Sequence, residues 1–348
     1  MKKALALILA AFMLAFALVG CVDNGGESSA PASSTSSSNA ETESKSDIAE
    51  IPVVRLAGMK GPTSIGLVGL LEEDSKDNTQ NDYEFSLHGA ATEIVPLLTK
   101  GELDIAAVPA NLASTLYNNT NGAIKLLAVN NLGVVYIVAK NESISSVEDL
   151  RGKTIYATGK GSTPEIALRH ILSGNGIDPD KDVTIEYRDE ASAVLPELVK
   201  NESAIAMLPQ PYVTVASAQV EGLETVIDLN AEWEKLNPDC GLVTGVIVVR
   251  KEFAEKNPEA VKAFLKEYKA SVDFVLGDVP AAAQRVAKHG IFEKAAVMEK
   301  AIPKCNITYI AGEDMKAPVN KYLGVSYEQN PKSIGGKLPE DDFFYIAE

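Results

Sequence analysis

The most constraining feature of this sequence is a pattern that returns after an offset of one hundred residues. A short apolar strand predicted at Val53 to Ala57 is followed by a Lys-Gly-x-Thr segment, Lys60 to Thr63, and then by helical apolar spacing. The same order returns around Lys160 to Thr163. Thirteen of the 57 aligned pairs from Val53/Lys153 to Pro109/Pro209 are identical, against roughly three or four expected from average composition. The chain is therefore predicted to contain two similar structural units.

Within each unit, predicted strands alternate with predicted helices. Tyr83 to Leu87 has the alternation of a strand, Glu93 to Lys100 has helical spacing closed by Gly101, and Leu103 to Val108 is a continuous apolar strand. Strands that alternate with helices indicate a parallel sheet. We therefore predict an α/β protein with two lobes.

The chain continues beyond the second unit. Leu242 to Val249 predicts a buried strand that returns to the first lobe, and the stretch from Asn330, rich in Pro, Gly and charge, is expected to wrap the surface. We expect lobe 1 to contain residues 51–135 and 245–348, and lobe 2 to contain residues 136–244. Two lobes joined by such crossings leave a cleft, and ligands of open α/β sheets bind beyond the carboxyl ends of the strands.

The N-terminal segment predicts secretion and lipid anchoring. Lys2 and Lys3 precede an apolar run from Ala4 to Val19 that is short for a membrane span, so residues 1–20 are expected to be a lipoprotein signal peptide. The Leu-Val-Gly before Cys21 resembles a bacterial lipobox, in which the cysteine becomes lipid-modified. Residues 21–50 are serine-rich and lack aromatic side chains, which predicts a disordered tether. We therefore expect an extracytoplasmic protein, anchored through Cys21 to the outer face of the bacterial cell membrane.

Composition excludes several classes of function. The formal net charge of −16 argues against a nucleic-acid partner, which requires a basic footprint. Three histidines are widely spaced and no C-x-x-C pair occurs, so we expect no metal site and no cofactor. Walker, dinucleotide-binding and nucleophile-elbow motifs are absent from the sequence. Whether Cys240 and Cys305 form a disulfide is left open by the sequence, because their separation in space is unknown.

The two Lys-Gly-x-Thr loops supply the first candidate ligand contacts. The candidates are Lys60, Gly61, Thr63 and Ser64 in lobe 1, and Gly161, Ser162 and Thr163 in lobe 2. Each loop precedes a helix, whose N-terminus offers unpaired N–H donors and a dipole that favours negative charge. Together the loops could present two donor clusters to one small ligand. The alternative is a pair of ordinary capped turns whose lysines point into solvent.

Strand ends supply further candidates. Asn111 and Gln210 follow equivalent strands, and their amides can both donate and accept hydrogen bonds. Thr244 lies just inside the strand that returns to lobe 1. Simple hydrogen bonding within the loops is the alternative for all three. Four tyrosines could stack on a planar ligand or belong to the core: Tyr117, Tyr136, Tyr156 and Tyr212.

Four segments make the chain resemble the ABC-transporter substrate-binding lipoproteins of the nitrate/sulfonate/taurine/thiamine-pyrimidine branch of the periplasmic-binding-protein superfamily. They are Gly101 to Ala106, Asp149 to Lys153, Met207 to Pro211, and Val248 to Val261. The resemblance implies a two-lobed periplasmic-binding-protein-like fold of type II with a hinged cleft, and ligand contacts on the two loops and strand ends above. Many relatives bind through an arginine. No arginine stands in these loops, so we expect either that Lys60 and Lys160 substitute for it or that the ligand is neutral or heterocyclic.

The function implied by the resemblance is solute binding for an ABC importer. The implied ligand is a small oxyanion or sulfonate, or a pyrimidine-like vitamin precursor, delivered to a permease driven by its ATPase. The implied partners are this ligand, the permease and the ATPase, and the membrane through the lipid anchor, with the protein itself a monomer. One alternative is a lyase-type enzyme on the same fold, with Glu165 and Asp104 as candidate acids. The other is a ligand sensor without a role in transport.

Overall fold

Two β-sheets organise the residues that the structure describes, which are 53–346 of this computed structural model. The signal peptide (1–20), the lipidation residue Cys21 and the tether (21–50) predicted above lie outside the described residues. All described residues belong to one unit, Glu50–Glu348. Among residues 53–346, no helix combines the length and the apolar character that crossing a membrane would require.

The first sheet has six strands. The strands are β1 (Val53–Met59), β2 (Asp82–His88), β3 (Ile105–Pro109), β4 (Ile124–Asn131), β10 (Gly245–Arg250) and β11 (Ile307–Ala311). Their spatial order is β11-β4-β10-β3-β1-β2, and β4 is buried at every residue and its neighbour β10 at all but the last. β1 runs parallel to β2 and β3, whereas β10 runs antiparallel to β3 and β4. The predicted returning strand therefore pairs at the centre of the first sheet.

The second sheet has five strands in a similar arrangement. The strands are β5 (Val135–Ala139), β6 (Thr154–Ala157), β7 (Thr184–Tyr187), β8 (Ile205–Pro209) and β9 (Glu224–Asp228). Their order is β7-β6-β8-β5-β9, with β5 antiparallel to both neighbours. In each sheet, the strand by which the chain enters from the other sheet (β10 in the first, β5 in the second) is antiparallel to both of its neighbours. The predicted two-lobed α/β fold of the periplasmic-binding-protein type is confirmed.

Twelve α-helices cover these sheets in the described part of the chain. Those associated with the first sheet are α1 (Val68–Asp74), α2 (Ala91–Lys100), α3 (Ala110–Asn119), α8 (Lys251–Lys256), α9 (Pro258–Gly277), α10 (Val279–Lys288) and α11 (Ala295–Ala301). Those of the second sheet are α4 (Thr163–Gly174), α5 (Ala191–Lys200), α6 (Tyr212–Gln219) and α7 (Leu229–Leu236). The last helix, α12 (Lys316–Gln329), contacts α3 of one lobe and α4 of the other.

The sequence repeat has a direct structural counterpart. Helices α2 and α5 begin one hundred residues apart, at Ala91 and Ala191, and strands β3 and β8 do the same at Ile105 and Ile205. Gly101 closes α2 in a left-handed conformation with φ of 75°, as its position after Lys100 predicted. Identical spacing thus produces the same strand–helix–strand geometry in both lobes.

The C-terminal stretch from Asn330 differs from the expected surface wrapping, because several of its side chains enter the core. Ile334 and Phe343 are fully buried. The backbone N–H of Tyr345 donates to the carbonyl of Leu126 on β4 at 2.9 Å. Apolar residues spaced among charged ones therefore tie this segment to the first lobe, which the Pro and Gly content of the segment did not predict.

Candidate functional site

A cavity of about 360 Å³ lies between the two lobes. Its wall is formed on the side of the first sheet by Pro62, Thr63, Ala91, Pro109, Asn111, Leu112, Asn131 and Thr244, and on the side of the second by Val134, Val135, Ser162, Thr163, Pro164 and Pro209. The volume is within the range of small-molecule pockets, near its lower end. Because both lobes contribute, movement of one lobe against the other would open or close the cavity.

The topology explains why these residues meet. Thr63 follows β1 and Asn111 follows β3, while Ser162 follows β6 and Pro209 ends β8. These are the carboxyl ends of parallel strands, where open α/β sheets bind ligands. The helices α3 and α4 begin at this cavity, and neither N-terminus has a capping side chain. The expected position of the cleft agrees with the position of the cavity.

The base of the cavity is formed by the two chain crossings. Thr244, just before β10, lies with its Oγ1 atom 2.8 Å from Oδ1 of Asn131, the last residue of β4. The same hydroxyl lies 2.7 Å from the carbonyl oxygen of Leu132. The Nδ2 atom of Asn131 donates to the carbonyl of Cys305. Polar side chains therefore fix the two crossings to each other and to the chain before β11.

Of the first loop, only part reaches the cavity. Thr63 lines it, and the carbonyl of Thr63 accepts a hydrogen bond of 2.7 Å from the Asn130 amide. Lys60 is exposed and Ser64 is fully buried beneath the turn. Gly61 has φ of 121°, a conformation that favours glycine, but it is not among the lining residues. The predicted cluster is thus divided between the cavity wall, the protein interior and solvent.

The second loop is divided in a similar way. Ser162 and Thr163 line the cavity, whereas Gly161 faces a separate groove between α4 and α12. The Oγ1 atom of Thr163 lies 2.7 Å from the hydroxyl of Tyr322 on α12. The ammonium of Lys160 lies 5.7 Å from the centre of the Tyr187 ring and does not belong to the cavity wall. The lysines of the two loops therefore stand outside the lining.

The two strand-end amides occupy different environments. Asn111 lines the cavity, with its Nδ2 atom 3.4 Å from the carbonyl of Ser333. Gln210 is buried behind the wall, where its Oε1 atom accepts a 2.8 Å hydrogen bond from the Thr214 hydroxyl. The four tyrosines considered for stacking, Tyr117, Tyr136, Tyr156 and Tyr212, are not among the lining residues.

The lining of this cavity carries no charged side chain among the residues that the structure describes. The two candidate acids lie elsewhere: Glu165 forms an ion pair of 3.1 Å with Arg169, and Asp104 contacts Arg55 and Arg250. Burial acts to raise the pKa of Asp104, but hydrogen bonds from the two guanidinium groups outweigh it and the pKa is lowered. Both carboxylates are therefore committed to salt bridges outside the cavity.

Residues 53–346 contain neither a candidate metal site nor a disulfide. No group of three or more His, Cys, Asp or Glu side chains in this range is arranged to hold a metal ion. Cys240 and Cys305 are both free thiols. Burial raises the pKa of Cys305 to about 12, which keeps this thiol protonated.

Sequence reasoning missed most of the apolar wall. Four prolines line the cavity, at Pro62, Pro109, Pro164 and Pro209. Two of them, Pro109 and Pro209, were identical partners in the repeat, and the other two adjoin the predicted threonines. Their positions at loops and strand ends were a usable signal, because proline is favoured where a backbone N–H needs no partner.

These features define a two-lobed α/β fold with a cavity between its lobes. The chain resembles an ABC transporter protein from Parabacteroides distasonis, with a TM-score of 0.72, 24% identity and coverage of 85% of this chain and 99% of that one. It also resembles the periplasmic aliphatic sulphonate binding protein of Escherichia coli, with a TM-score of 0.68, 17% identity and coverage of 85% and 92%. The periplasmic nitrate-binding protein of Synechocystis PCC 6803 has a TM-score of 0.56 at 14% identity, with coverage of 84% and 87%.

The sequence comparisons define the family. The family described as NMT1/THI5 like matches residues 92–283, which is more than half of the chain. The chain belongs to this family. A protein of Brucella abortus (strain 2308), named as a binding protein, is 27% identical over 180 residues, or 52% of this chain and 53% of that protein. The chain therefore spans about half the length of the curated relatives it matches.

Proposed function

We propose that this protein is the extracytoplasmic solute-binding component of an ABC importer. It binds one small molecule in the cavity between its lobes and delivers it to a permease coupled to an ATPase. The resemblance to nitrate- and sulfonate-type binding proteins favours two ligand classes, a small oxyanion or sulfonate and a pyrimidine-like vitamin precursor. The proposed contacts are the lining residues that the sequence predicted, Thr63, Asn111, Ser162, Thr163 and Thr244.

The observation that carries the proposal is that both lobes contribute to one cavity at the carboxyl ends of their strands. A ligand held there contacts both lobes at once and favours the closed arrangement over the open one. Such a difference in affinity is what drives closure of a two-lobed protein. A permease that recognises the closed form can then distinguish loaded from empty protein.

Binding is favoured over catalysis because the described lining offers no titratable side chain for acid or base chemistry. The candidate acids Glu165 and Asp104 are held in salt bridges elsewhere. A lyase-type activity would need a proton donor or acceptor within reach of the bound molecule. In the sensor alternative the ligand binds in the same cavity. The two alternatives differ only in which partner protein recognises the closed form.

The proposed location follows from residues outside the described range. Lipidation of Cys21 after removal of residues 1–20 would anchor the chain, with residues 21–50 as the tether. Labelling with radioactive palmitate, followed by comparison with Cys21→Ser, tests this anchor. Incorporation into the native chain and its loss in the variant are expected. Equal labelling of both would contradict the lipid anchor.

The binding role is tested by a variant that fills the cavity. Ala91 lines the cavity at the start of α2, and Ala191 is its repeat equivalent at the start of α5, outside the lining. We expect Ala91→Trp to abolish the thermal stabilisation that small solutes give to the purified full-length protein. Ala191→Trp should retain it. Equal behaviour of the two variants would contradict binding between the lobes.

A further inference from the structure

The polar side chains of the cavity are largely hydrogen-bonded within the protein. The Thr244 hydroxyl bonds to Asn131, and the Asn131 amide donates to the carbonyl of Cys305. The Ser162 hydroxyl donates to the carbonyl of Gly159 at 2.7 Å. The Thr163 hydroxyl bonds to Tyr322 on α12. Within residues 53–346, Thr63 is the one polar lining residue whose side chain makes no hydrogen bond to the protein.

Three backbone donors beside the cavity are also occupied. The N–H of Ala110, the first residue of α3, donates to the carbonyl of Thr244 at 3.1 Å. The N–H of Ser162 donates to the carbonyl of Gly159 at 3.1 Å, and that of Gly161 donates to a carboxylate oxygen of Glu165 at 2.6 Å. Pro164 in the first turn of α4 has no N–H. The loop before α4 is therefore a poor cradle for an anion.

The charge and the apolar character of the cavity lining also disfavour binding of an anion. The described lining has no Lys or Arg, while the whole chain carries a formal net charge of −16. Eight of the fourteen lining residues are proline, alanine, leucine or valine. Transferring an anion from water into such surroundings costs free energy that only paired charges or several donors can offset. The described lining supplies no charged partner, and its polar side chains are largely hydrogen-bonded within the protein.

We propose, as a consequence that rests on the binding role proposed above, that the cavity selects an uncharged solute with an apolar body. It disfavours oxyanions and sulfonates of similar size. The solute presents N–H or O–H groups to the oxygen lone pairs that remain, those of Asn111 and Ser162, and accepts one hydrogen bond from Thr63. Its apolar surface packs against the prolines and valines of the wall.

The test uses yeast extract separated by charge as the probe. Small molecules of the extract are passed at neutral pH through a cation and then an anion exchanger, which yields three fractions. The purified full-length protein is unfolded and refolded to remove bound solute, and its thermal unfolding is measured with each fraction. A ligand at roughly 100 times its Kd should raise the midpoint by about 5 °C. We expect this shift from the fraction that neither exchanger retains.

The outcomes separate the two proposals. A shift from the fraction that either exchanger retains, alone or equal to the shift from the unretained fraction, overturns the ligand class and leaves the binding role intact. No shift from any fraction counts against the binding role itself. Mass spectrometry of the molecule released by heating gives an independent reading. A bound molecule that carries a carboxylate, sulfonate or phosphate would overturn the proposed ligand class.

Two variants test whether the loop lysines or Thr63 contribute to binding of the solute. The double variant Lys60→Gln/Lys160→Gln removes the loop lysines, which stand outside the lining, so the affinity for the uncharged fraction should stay within about twofold of the unmodified protein. An affinity loss of about tenfold or more would assign charge recognition to these lysines and overturn the proposal. Thr63→Val keeps the shape of the side chain but removes its free hydroxyl. It should lower the affinity by roughly five- to tenfold, and an unchanged affinity would remove Thr63 from the proposed contacts.

Discussion

The Oγ1 atom of Thr244 lies 2.8 Å from Oδ1 of Asn131, and the two residues belong to the two chain crossings that join the lobes. The same hydroxyl oxygen lies 2.7 Å from the carbonyl oxygen of Leu132, which follows Asn131 in the chain, so its one proton serves one of these two acceptors at a time. A single hydroxyl therefore connects both crossings at the base of the cavity. Any movement of the lobes must bend the backbone on either side of this contact.

The first prediction concerns this hydroxyl. Thr244→Val retains the shape of the side chain but leaves Asn131 without its donor, so the free energy of unfolding should fall by about 1 kcal/mol. Thr244→Ser keeps the hydroxyl and should recover most of this loss. Urea unfolding followed by circular dichroism measures both. Equal stability of the two variants would show that the hydroxyl contributes nothing to the connection of the crossings.

The second prediction concerns the contact between Tyr322 on α12 and Thr163 on α4. Burial raises the pKa of Tyr322 to about 12, so its hydroxyl stays protonated. Tyr322→Phe removes this bond from a fully buried position and should lower the free energy of unfolding by about 1 to 2 kcal/mol. Tyr327→Phe on the same helix is the matched control, because Tyr327 is 39% exposed.

Chemical denaturation of the two tyrosine variants gives the comparison. The control should stay within about 0.5 kcal/mol of the unmodified protein. A Tyr322→Phe variant as stable as the control would mean that water replaces the Tyr322 hydroxyl beside Thr163 without loss. The bond between α12 and α4 would then contribute little to holding the lobes.

The third prediction concerns Asp104, whose side chain is 2% exposed and pairs with Arg55 at 2.6 Å and Arg250 at 2.8 Å. Asp104→Asn leaves two guanidinium groups without their carboxylate and should lower stability at neutral pH by about 3 kcal/mol. Asp273→Asn is the control, since Asp273 is exposed and pairs only with Lys269 one helical turn away. It should have little effect.

The pH dependence of this effect has a definite sign. Because the pKa of Asp104 is lowered in the folded protein, its carboxylate stabilises the fold at pH values above the ordinary pKa of aspartate, about 4. That stabilisation is lost as the pH falls through the lowered value. The stability difference between the unmodified protein and Asp104→Asn should therefore narrow below about pH 4. A difference that widens on acidification would contradict the assigned ion pairs.

The fourth prediction compares two helical glycines. A Cβ atom added at Gly324 in α12 meets no heavy atom within 4 Å, so Gly324→Ala should stabilise the protein by about 1 kcal/mol. A Cβ atom at Gly69 in α1 would lie 2.7 Å from Oγ and 2.9 Å from Cα of Ser271. Gly69→Ala should destabilise by about 1 to 3 kcal/mol, because it displaces the Ser271 hydroxyl from its bonds to Leu70 and Gly66.

Thermal and urea unfolding of the two alanine variants test the comparison. Opposite signs are the expected result. Destabilisation by Gly324→Ala would contradict the open space beside this position in the folded protein. A neutral Gly69→Ala would mean that α1 and α9 separate at little cost, contrary to the buried position of Ser271.

Local pattern was sufficient to predict the architecture. The alternation of strands and helices predicted parallel sheets, and the repeat predicted that α2 and α5, and β3 and β8, would be equivalent. The apolar run from Leu242 to Val249 predicted the returning strand β10. These features depend on backbone propensity and on which face is apolar, and both are properties of neighbouring residues in the chain.

The sequence predicted where the candidate site lies, but not which side chains face it. The sequence indicated that the loops after β1 and β6 would face each other, and Thr63, Ser162 and Thr163 do line one cavity. It did not reveal that Lys60 would be exposed, that Ser64 and Gln210 would be buried behind the wall, or that Gly161 would face another groove. One residue more or less along a tight turn reverses the direction of a side chain, and the sequence pattern does not resolve that difference.

The sequence by itself determined the two α/β lobes, the equivalence of their parts and the ends of the strands at which a cleft must form. The tertiary structure decided which hydrogen-bonding groups remain free there. Thr163 is engaged by Tyr322, and Asn131 by Thr244 and by the carbonyl of Cys305, each far away in the chain. A hydroxyl or amide can donate each of its protons only once. The chemistry left for a ligand therefore depends on partners that come together only when the chain has folded.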